Sequence, residues 1–394
     1  MKNKKKLISL IIVFVMIFTI TAGCSNGAAN NEEPEPQVEQ EPEEPEQEPE
    51  EQEPEERIVT VTDMSGDTVT VTGEINKIIN LWPAGTSSFF VMGAGDLITG
   101  LAVNSPATMN EWTRLFYPES ANIPELGGVT PTIESIINLE PDLVIIHPTT
   151  AKDGFAQQIR DVGIPAININ FSDYDTMIQA YTILGEVLGG EYQEKLNTWC
   201  SAVETNLANV RNLTADIAEA ERPVVYYIAG QTDSLTTTMT ANTIIQDWVE
   251  SAGGVFASKV LELETGEVTT EAIFDLNPDV IICGGVYQHV EKNLIETTDG
   301  WKDLKAAVNN RVYTNPYGCF NWDRFGLESL LQINYALMSI QPEIAEDNGI
   351  TRDSMVQEII DFYNTYTDFD LTQTQAENML NGLGPDGTAQ FPVN

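Results

Sequence analysis

Thirteen residues, ESIINLEPDLVII from Glu134 to Ile146, return as EAIFDLNPDVIIC from Glu271 to Cys283. Both copies read Glu-x-Ile-x-x-Leu-x-Pro-Asp and then an apolar run, at a constant offset of 137 residues. Each copy has a local logic. A glutamate in the first turn of a helix is favoured by the helix dipole, Ile and Leu at helical spacing face a sheet, and Pro-Asp stops the helix before a buried strand begins. A chain that carries this helix, turn and strand twice, so far apart, is expected to fold as two related α/β lobes. On these residues alone the two glutamates need be no more than first-turn acids.

The surrounding pattern agrees. Val59 to Val71, VTVTDMSGDTVTV, alternates about a Ser-Gly-Asp turn and predicts a hairpin. KIINLW (Lys77 to Trp82), LITGLAV (Leu97 to Val103), DLVIIH (Asp142 to His147) and PAININF (Pro165 to Phe171) predict strands, with helix-length segments between most of them. Such alternation argues for a parallel sheet covered on both faces. From Glu191 to about Ala220 there is no Gly or Pro, and Leu196, Trp199, Val203, Leu207, Val210, Leu213 and Ile217 fall in steps of three and four. The spacing predicts one helix about 45 Å long, from roughly 30 residues rising 1.5 Å each. Beyond Pro223 the alternation resumes with VVYYIA, DVIICGG and RVYTNP. One repeat lies on each side of this helical strut.

The amino-terminal segment is of another kind. Residues 1–24 open with lysines, run through apolar residues from Leu10 to Phe18, and end Thr-Ala-Gly-Cys, the form of a secretory signal. That ending resembles a bacterial lipoprotein box with Cys24 as the lipidated residue, although Thr21 stands where Leu is commoner; ordinary cleavage and a retained anchor stay open. Glu32 to Glu56 holds 14 Glu, 6 Pro, 4 Gln and one Val. It has nothing to bury and is expected to be a disordered tether. The domain plan is therefore a signal peptide at 1–24, an acidic linker at 25–57, an amino-terminal lobe at 58–190, a connecting helix at 191–221 and a carboxy-terminal lobe at 222–394.

Setting aside the fourteen linker glutamates and four amino-terminal lysines leaves 46 acids against 15 bases, a net charge of about −31 from Arg57 onward. Nucleic acid and anionic lipid surfaces are disfavoured as partners. Besides Cys24 there are Cys200, Cys283 and Cys319. An odd count without CxxC spacing implies neither a disulfide framework nor a structural zinc, and leaves open whether Cys283 and Cys319 pair.

With these segments assembled, the chain resembles the substrate-binding proteins of ABC importers for iron chelates, haem and corrinoids. The resemblance runs from VTVTDMSGDTV through the doubled unit, AGGVFAS (Ala252 to Ser258), WKDLKAAVNNRVY (Trp301 to Tyr313) and YGCFNWDRFGLES (Tyr317 to Ser329). It implies two Rossmann-like α/β lobes joined by one rigid helix, with the ligand cleft between them and only a small closure on binding. It implies a monomer outside the cytoplasmic membrane, served by a permease and a cytoplasmic ATPase, with no intrinsic cofactor and a cargo containing iron or cobalt. It further implies that Glu134 and Glu271 dock on arginines of the permease.

Ligands of open parallel sheets sit beyond the carboxyl ends of the strands. That rule points to Trp82, Thr86, Asn104 and His147 in the first lobe. In the second it points to Tyr227, Gln231, Tyr287, His289, Tyr317, Phe320, Trp322 and Arg324. His147 and His289 are the only histidines. His147 is the candidate metal ligand, or else a loop residue fixed by the proline after it; Tyr287 or Tyr317 would serve as phenolate. Arg324 pairs either with a ligand carboxylate or with Asp323, and Trp322 either stacks on the ligand or packs beneath its loop. An enzyme is disfavoured, because no P-loop, GxSxG, HExxH or run of cysteine ligands is present. A surface adhesin or sensor is the rival from another class.

Overall fold

The two copies of the repeat form one and the same structure. The computed structural model describes residues 57–103, 109–146, 154–230, 233–367 and 369–390. All of them fall in a unit spanning Glu55–Asn394, while the signal segment and nearly all of the acidic run lie outside the described residues. The strands are β1 (Ile58–Thr62), β2 (Thr68–Thr72), β3 (Ile78–Asn80), β4 (Ile98–Leu101), β5 (Leu143–Ile146), β6 (Ala166–Asn168), β7 (Val224–Ile228), β8 (Val255–Phe256), β9 (Val280–Cys283) and β10 (Val312–Thr314). Strands β3 to β10 build two parallel four-stranded sheets, ordered β4-β3-β5-β6 and β8-β7-β9-β10. In both, the second strand of the sheet in chain order lies outermost, followed by the first, third and fourth. The repeat supplies the third strand each time.

The Pro-Asp of the repeat does more than stop a helix. The Asp142 N–H donates to the Lys77 carbonyl at 2.9 Å, and its carboxylate accepts from the Asn76 and Lys77 N–H groups at 2.8 and 2.9 Å. Asp279 repeats the arrangement on Val224, donating to its carbonyl at 2.9 Å and accepting from its N–H at 2.8 Å. Each aspartate thus clamps the start of its own strand to the start of the neighbouring central one. Both strands of the repeat are buried throughout, as expected for parallel strands covered on two faces.

β1 and β2 form the predicted antiparallel hairpin, paired from Ile58↔Thr72 to Thr62↔Thr68. The buried Asp63 holds its turn through the Ser65 and Asp67 N–H groups and reaches the Asn168 N–H at 3.0 Å, which docks the hairpin on β6. β8 was not separated from its neighbours in the sequence. It is two residues long, too short for a periodicity to show.

The strut is shorter than predicted. The helix runs Gly190–Thr214, 25 residues or about 38 Å, and not to residue 221. Leu196, Trp199, Val203, Leu207 and Val210 form its buried stripe, while Ile217 lies beyond its end. Thr214 Oγ1 donates to the Ser251 carbonyl at 2.9 Å, and Arg222 covers the Thr214 and Ile217 carbonyls from outside. The stop is imposed by tertiary bonds, so no Gly or Pro marked it. Upstream, Gly189 at φ 70° turns the chain from the helix Tyr174–Leu188, which packs against the strut.

The lobes are also joined directly. The Asn110 side-chain amide donates to the Gly318 and Cys319 carbonyls at 3.0 and 2.7 Å, and the Trp112 indole to the Leu383 carbonyl at 2.9 Å. Tyr174 Oη reaches the Ser329 carbonyl at 2.8 Å, and from the strut the Trp199 indole donates to the Leu327 carbonyl at 2.6 Å. Cys200, Cys283 and Cys319 are buried free thiols, so Cys283 and Cys319 do not pair. No helix among the described residues is long and apolar enough to cross a membrane.

Candidate functional site

The turn leaving β3 is shaped by one side chain. Asn80, fully buried, donates to the Trp82 carbonyl at 2.9 Å and to Thr86 Oγ1 at 2.8 Å, and accepts from the Trp82 N–H at 3.1 Å. Thr86 therefore serves the turn: it is 1% exposed and its hydroxyl is engaged, which corrects its expected place on the ligand surface. Trp82 meets Phe171, at the end of the β6 run, edge-to-face at 5.0 Å, and Phe171 meets Phe325 of the second lobe at 5.0 Å. These three rings form an aromatic contact from lobe to lobe beyond the carboxyl ends of the strands, with Trp82 and Phe171 buried and Phe325 half-buried. Neither Phe171 nor Phe325 was singled out from the sequence; the signal was the aromatic residue closing PAININF.

In the second lobe the loops after β7 and β9 touch backbone to backbone. A Cβ on Gly230 would come within 1.6 Å of the Gly284 carbonyl oxygen, and one on Gly284 would meet Tyr227 Oη at 2.3 Å and Asp323 Oδ2 at 2.4 Å. Both positions require glycine so that the loops can close over a buried polar group. Within it, Tyr227 Oη donates to Asp323 Oδ2 at 2.7 Å. The Arg324 guanidinium donates to the Ala229 carbonyl and to Tyr227 Oη, and its Nε lies 3.6 Å from Asp323 Oδ1. The Trp248 indole donates to the Asp323 carbonyl at 3.3 Å. Burial raises the Asp323 carboxyl, an effect that Arg324 opposes.

This settles the two readings of Asn321-Trp-Asp-Arg by placement. Trp322 is fully buried in the main core beneath its loop, with no surface to stack on a ligand, and Arg324 is engaged by Asp323 and by the main chain. Tyr227, also fully buried, is a member of the network and not of the cleft wall. Tyr317 is 3% exposed and its N–H donates to the Met379 carbonyl, so its phenol is closed off. His289 Nε2 lies 3.0 Å from the Gly382 carbonyl, and burial holds its pKa below the ordinary value, so a neutral imidazole braces the carboxy-terminal segment. Tyr287 and Phe320 remain half-buried at the ends of their strands. Asn104, His147 and Gln231 lie outside the described residues, and among those described no group of three or more His, Cys, Asp or Glu is placed to hold a metal ion.

Two further carboxyls escaped notice. Glu291 lies in the helix Gln288–Thr297, fully buried with neither oxygen hydrogen-bonded, and desolvation pushes it up to about 9. Glu328 accepts from the Cys319 and Phe320 N–H groups, each at 2.8 Å, and from Tyr363 Oη, holding the aromatic loop; burial pushes it up to about 7. A glutamate in or just before a helix ordinarily reads as a surface residue, so the sequence carried no signal for either.

Glu134 and Glu271 are exposed in the first turns of the helices Ile133–Ile137 and Thr270–Leu276. Thr132 caps the first helix by accepting from the Ser135 N–H at 3.2 Å, and Thr269 caps the second from the Ala272 N–H at 3.2 Å. Each helix leads down to the amino end of its strand, so each glutamate stands towards the carboxyl ends, one on each lobe.

A family model described as periplasmic binding protein matches residues 101–317. An uncharacterized ABC transporter substrate-binding lipoprotein of Bacillus subtilis, YvrC, is 26% identical over 261 residues, 65% of this chain and 77% of that protein. A cobalamin-binding protein of Halobacterium salinarum is 24% identical over 57% of the chain, and a high-affinity heme uptake system protein of Staphylococcus aureus, IsdE, 27% over 49%. The chain spans 58% and 66% of the lengths of those two. Among solved structures, a periplasmic solute binding protein from Veillonella parvula matches with a TM-score of 0.70 at 24% identity, over 85% of this chain and 100% of that one. A molybdate periplasmic binding protein from Haemophilus influenzae matches at 0.66 and 19%, over 79% and 99%. These likenesses establish the two-lobed fold.

Proposed function

The chain belongs to the periplasmic binding protein family, as an extracytoplasmic substrate-binding component of an ABC importer and not an enzyme, and from that premise we propose that its cargo is a metal chelate. A ferric siderophore leads, with haem or a corrinoid next, so that iron or cobalt is carried as cargo and not as a resident cofactor. The observation that carries this reading is the largely buried aromatic cluster Trp82–Phe171–Phe325, which joins one lobe to the other where ligands of such sheets sit. Aromatic faces suit a bulky, partly apolar complex better than a small hydrated ion. The names of the cobalamin-binding and heme-uptake relatives support the same class. His147, directly after β5 in sequence, is the candidate metal ligand.

Cys24 supplies a lipid anchor and the acidic run a tether in this reading, and Glu134 and Glu271 dock the loaded monomer on the permease. The test is tryptophan fluorescence of the full chain in detergent, titrated with a ferric siderophore panel, haem and cobalamin. Saturable sub-micromolar quenching by one of them is expected, and a haem Soret band that changes in His147→Ala would assign that histidine. No response to any of them would overturn the chelate reading and favour an adhesin or sensor.

A further inference from the structure

The fifteen bases from Arg57 onward can be followed one by one. Seven pair with carboxylates. Arg57, Lys195, Arg222 and Arg311 donate to main-chain carbonyls, and Arg352 donates to the Asn381 side chain. Arg114 is exposed on the helix Glu111–Phe116, next to Glu111 in its first turn. Lys152 lies outside the described residues. That leaves Arg324 as the base built into the carboxyl-end face of the second lobe.

Arg324 is committed to its own lobe. Its guanidinium holds the Ala229 carbonyl and Tyr227 Oη and lies against Asp323, and its side chain is only 18% exposed. The pair Asp323–Arg324 carries no net charge, and Asp233, in the loop after β7, adds an exposed carboxylate. Nearby, Glu291 stays protonated at neutral pH because burial disfavours its charge. An arginine already paired with the aspartate and a carbonyl of its own lobe is a poor clamp for a ligand carboxylate or phosphate. Around this site the body carries a net charge of about −31, whose field repels anions and draws cations towards a cleft.

We infer that the captured complex is uncharged or cationic, of the class of a ferric trihydroxamate or a corrinoid, and that polyanionic complexes and bare oxyanions are rejected. This rests on the metal-chelate reading above and narrows it. A trianionic complex brought against this surface meets the Asp233 carboxylate and, among the described residues of this face, no unpaired cation, and it loses its hydration in the process. An uncharged complex brings no charge to this surface and loses nothing electrostatic.

The test compares complexes that differ in charge, using the full chain in detergent. A neutral ferric trihydroxamate, cobalamin and cationic cobinamide are titrated beside a trianionic ferric triscatecholate, ferric citrate, haem and molybdate. The expected result is binding of at least one uncharged or cationic complex about tenfold or more tighter than every anion, a difference of about 1.4 kcal/mol. Stopped-flow capture of cobinamide should slow severalfold when ionic strength rises from about 0.01 to about 0.15 M, because screening removes the attraction. Tighter binding of the triscatecholate, citrate complex, haem or molybdate would overturn the charge inference and leave the importer assignment standing. Binding of nothing in the panel would overturn the chelate reading, and the inference with it.

Discussion

Glu140 and Asn277 hold the same position in the two repeats and the same left-handed backbone conformation, each at φ 47°. This residue is the hinge between helix and Pro-Asp, and the two lobes meet its strain differently. Asn277 tolerates the left-handed region, and its Oδ1 accepts from the Lys305 N–H at 2.8 Å. Glu140 has only an exposed contact with Lys77 at 3.4 Å, of the kind that contributes little.

Glu140→Gly is therefore expected to stabilise the protein by about 0.5–1 kcal/mol, since glycine adopts this conformation without a Cβ penalty. Asn277→Gly should give no gain, because relief of strain is offset by loss of the bond to Lys305. Urea unfolding of both variants decides the matter, and a destabilised Glu140→Gly would show that the side chain has a role the geometry does not explain.

Asp323 is expected to be the most sensitive polar residue of the second lobe. Asp323→Ala removes the partner of Tyr227 Oη and the counter-charge of Arg324 together, leaving a buried hydroxyl and a nearly buried cation. The loss should be about 3 kcal/mol, read as a lower urea midpoint. Tyr227→Phe removes one bond and should cost about 1 kcal/mol. Equal losses in the two variants would mean that the charge pair contributes nothing beyond that bond.

Much of the architecture was written locally and could be read locally. The repeat, the hairpin and most strands declare themselves within a dozen residues, and the offset between copies disclosed two lobes. The strut's end did not, because Thr214 is held by Ser251 and Arg222 from elsewhere in the chain. The site was legible as a region and not as a set of side chains. Nearness to the carboxyl end of a strand gives height along the sheet, but not whether a side chain turns to the cleft or to the core. Thr86, Tyr227 and Trp322 lie at the right height and turn inward. Phe171 and Phe325 join Trp82 across the lobes, a pairing that only tertiary structure creates.

The buried glutamates predict an unusual pH dependence. Glu291 is pushed up to about 9 and Glu328 to about 7, against an ordinary 4.5. The folded protein thus keeps protons that the unfolded chain releases. Their contribution to stability is whole below about pH 4.5 and is lost as pH rises, through about 7 for Glu328 and about 9 for Glu291. Glu291→Gln carries no such titration. At pH 8 it should be more stable than the parent by on the order of 5 kcal/mol, with no difference near pH 4. Thermal melts of the two proteins across that range would show the gap opening with pH, and a constant gap would mean that Glu291 is ionised in the folded state.

The paired glutamates give the last expectation. Glu134 and Glu271 stand in capped first turns, one per lobe, and neither side chain has a hydrogen-bond or ion-pair partner among the described residues. One exposed ion pair contributes about 0–1 kcal/mol, so neither residue alone would hold a complex. Two at fixed separation act together, because the second forms within an already tethered complex. In the proposed docking, their separation also depends on how the lobes sit, which would let the permease sense a loaded protein. Glu134→Ala with Glu271→Ala should leave chelate affinity and melting temperature unchanged while cutting uptake by cells at least about tenfold, and each single change should cut it by less. Affinity is measured on the purified chain, and uptake with the same chelate in cells carrying each variant. Undiminished uptake in the double variant would remove the docking assignment, and a parallel loss of affinity would place these glutamates in the ligand site instead.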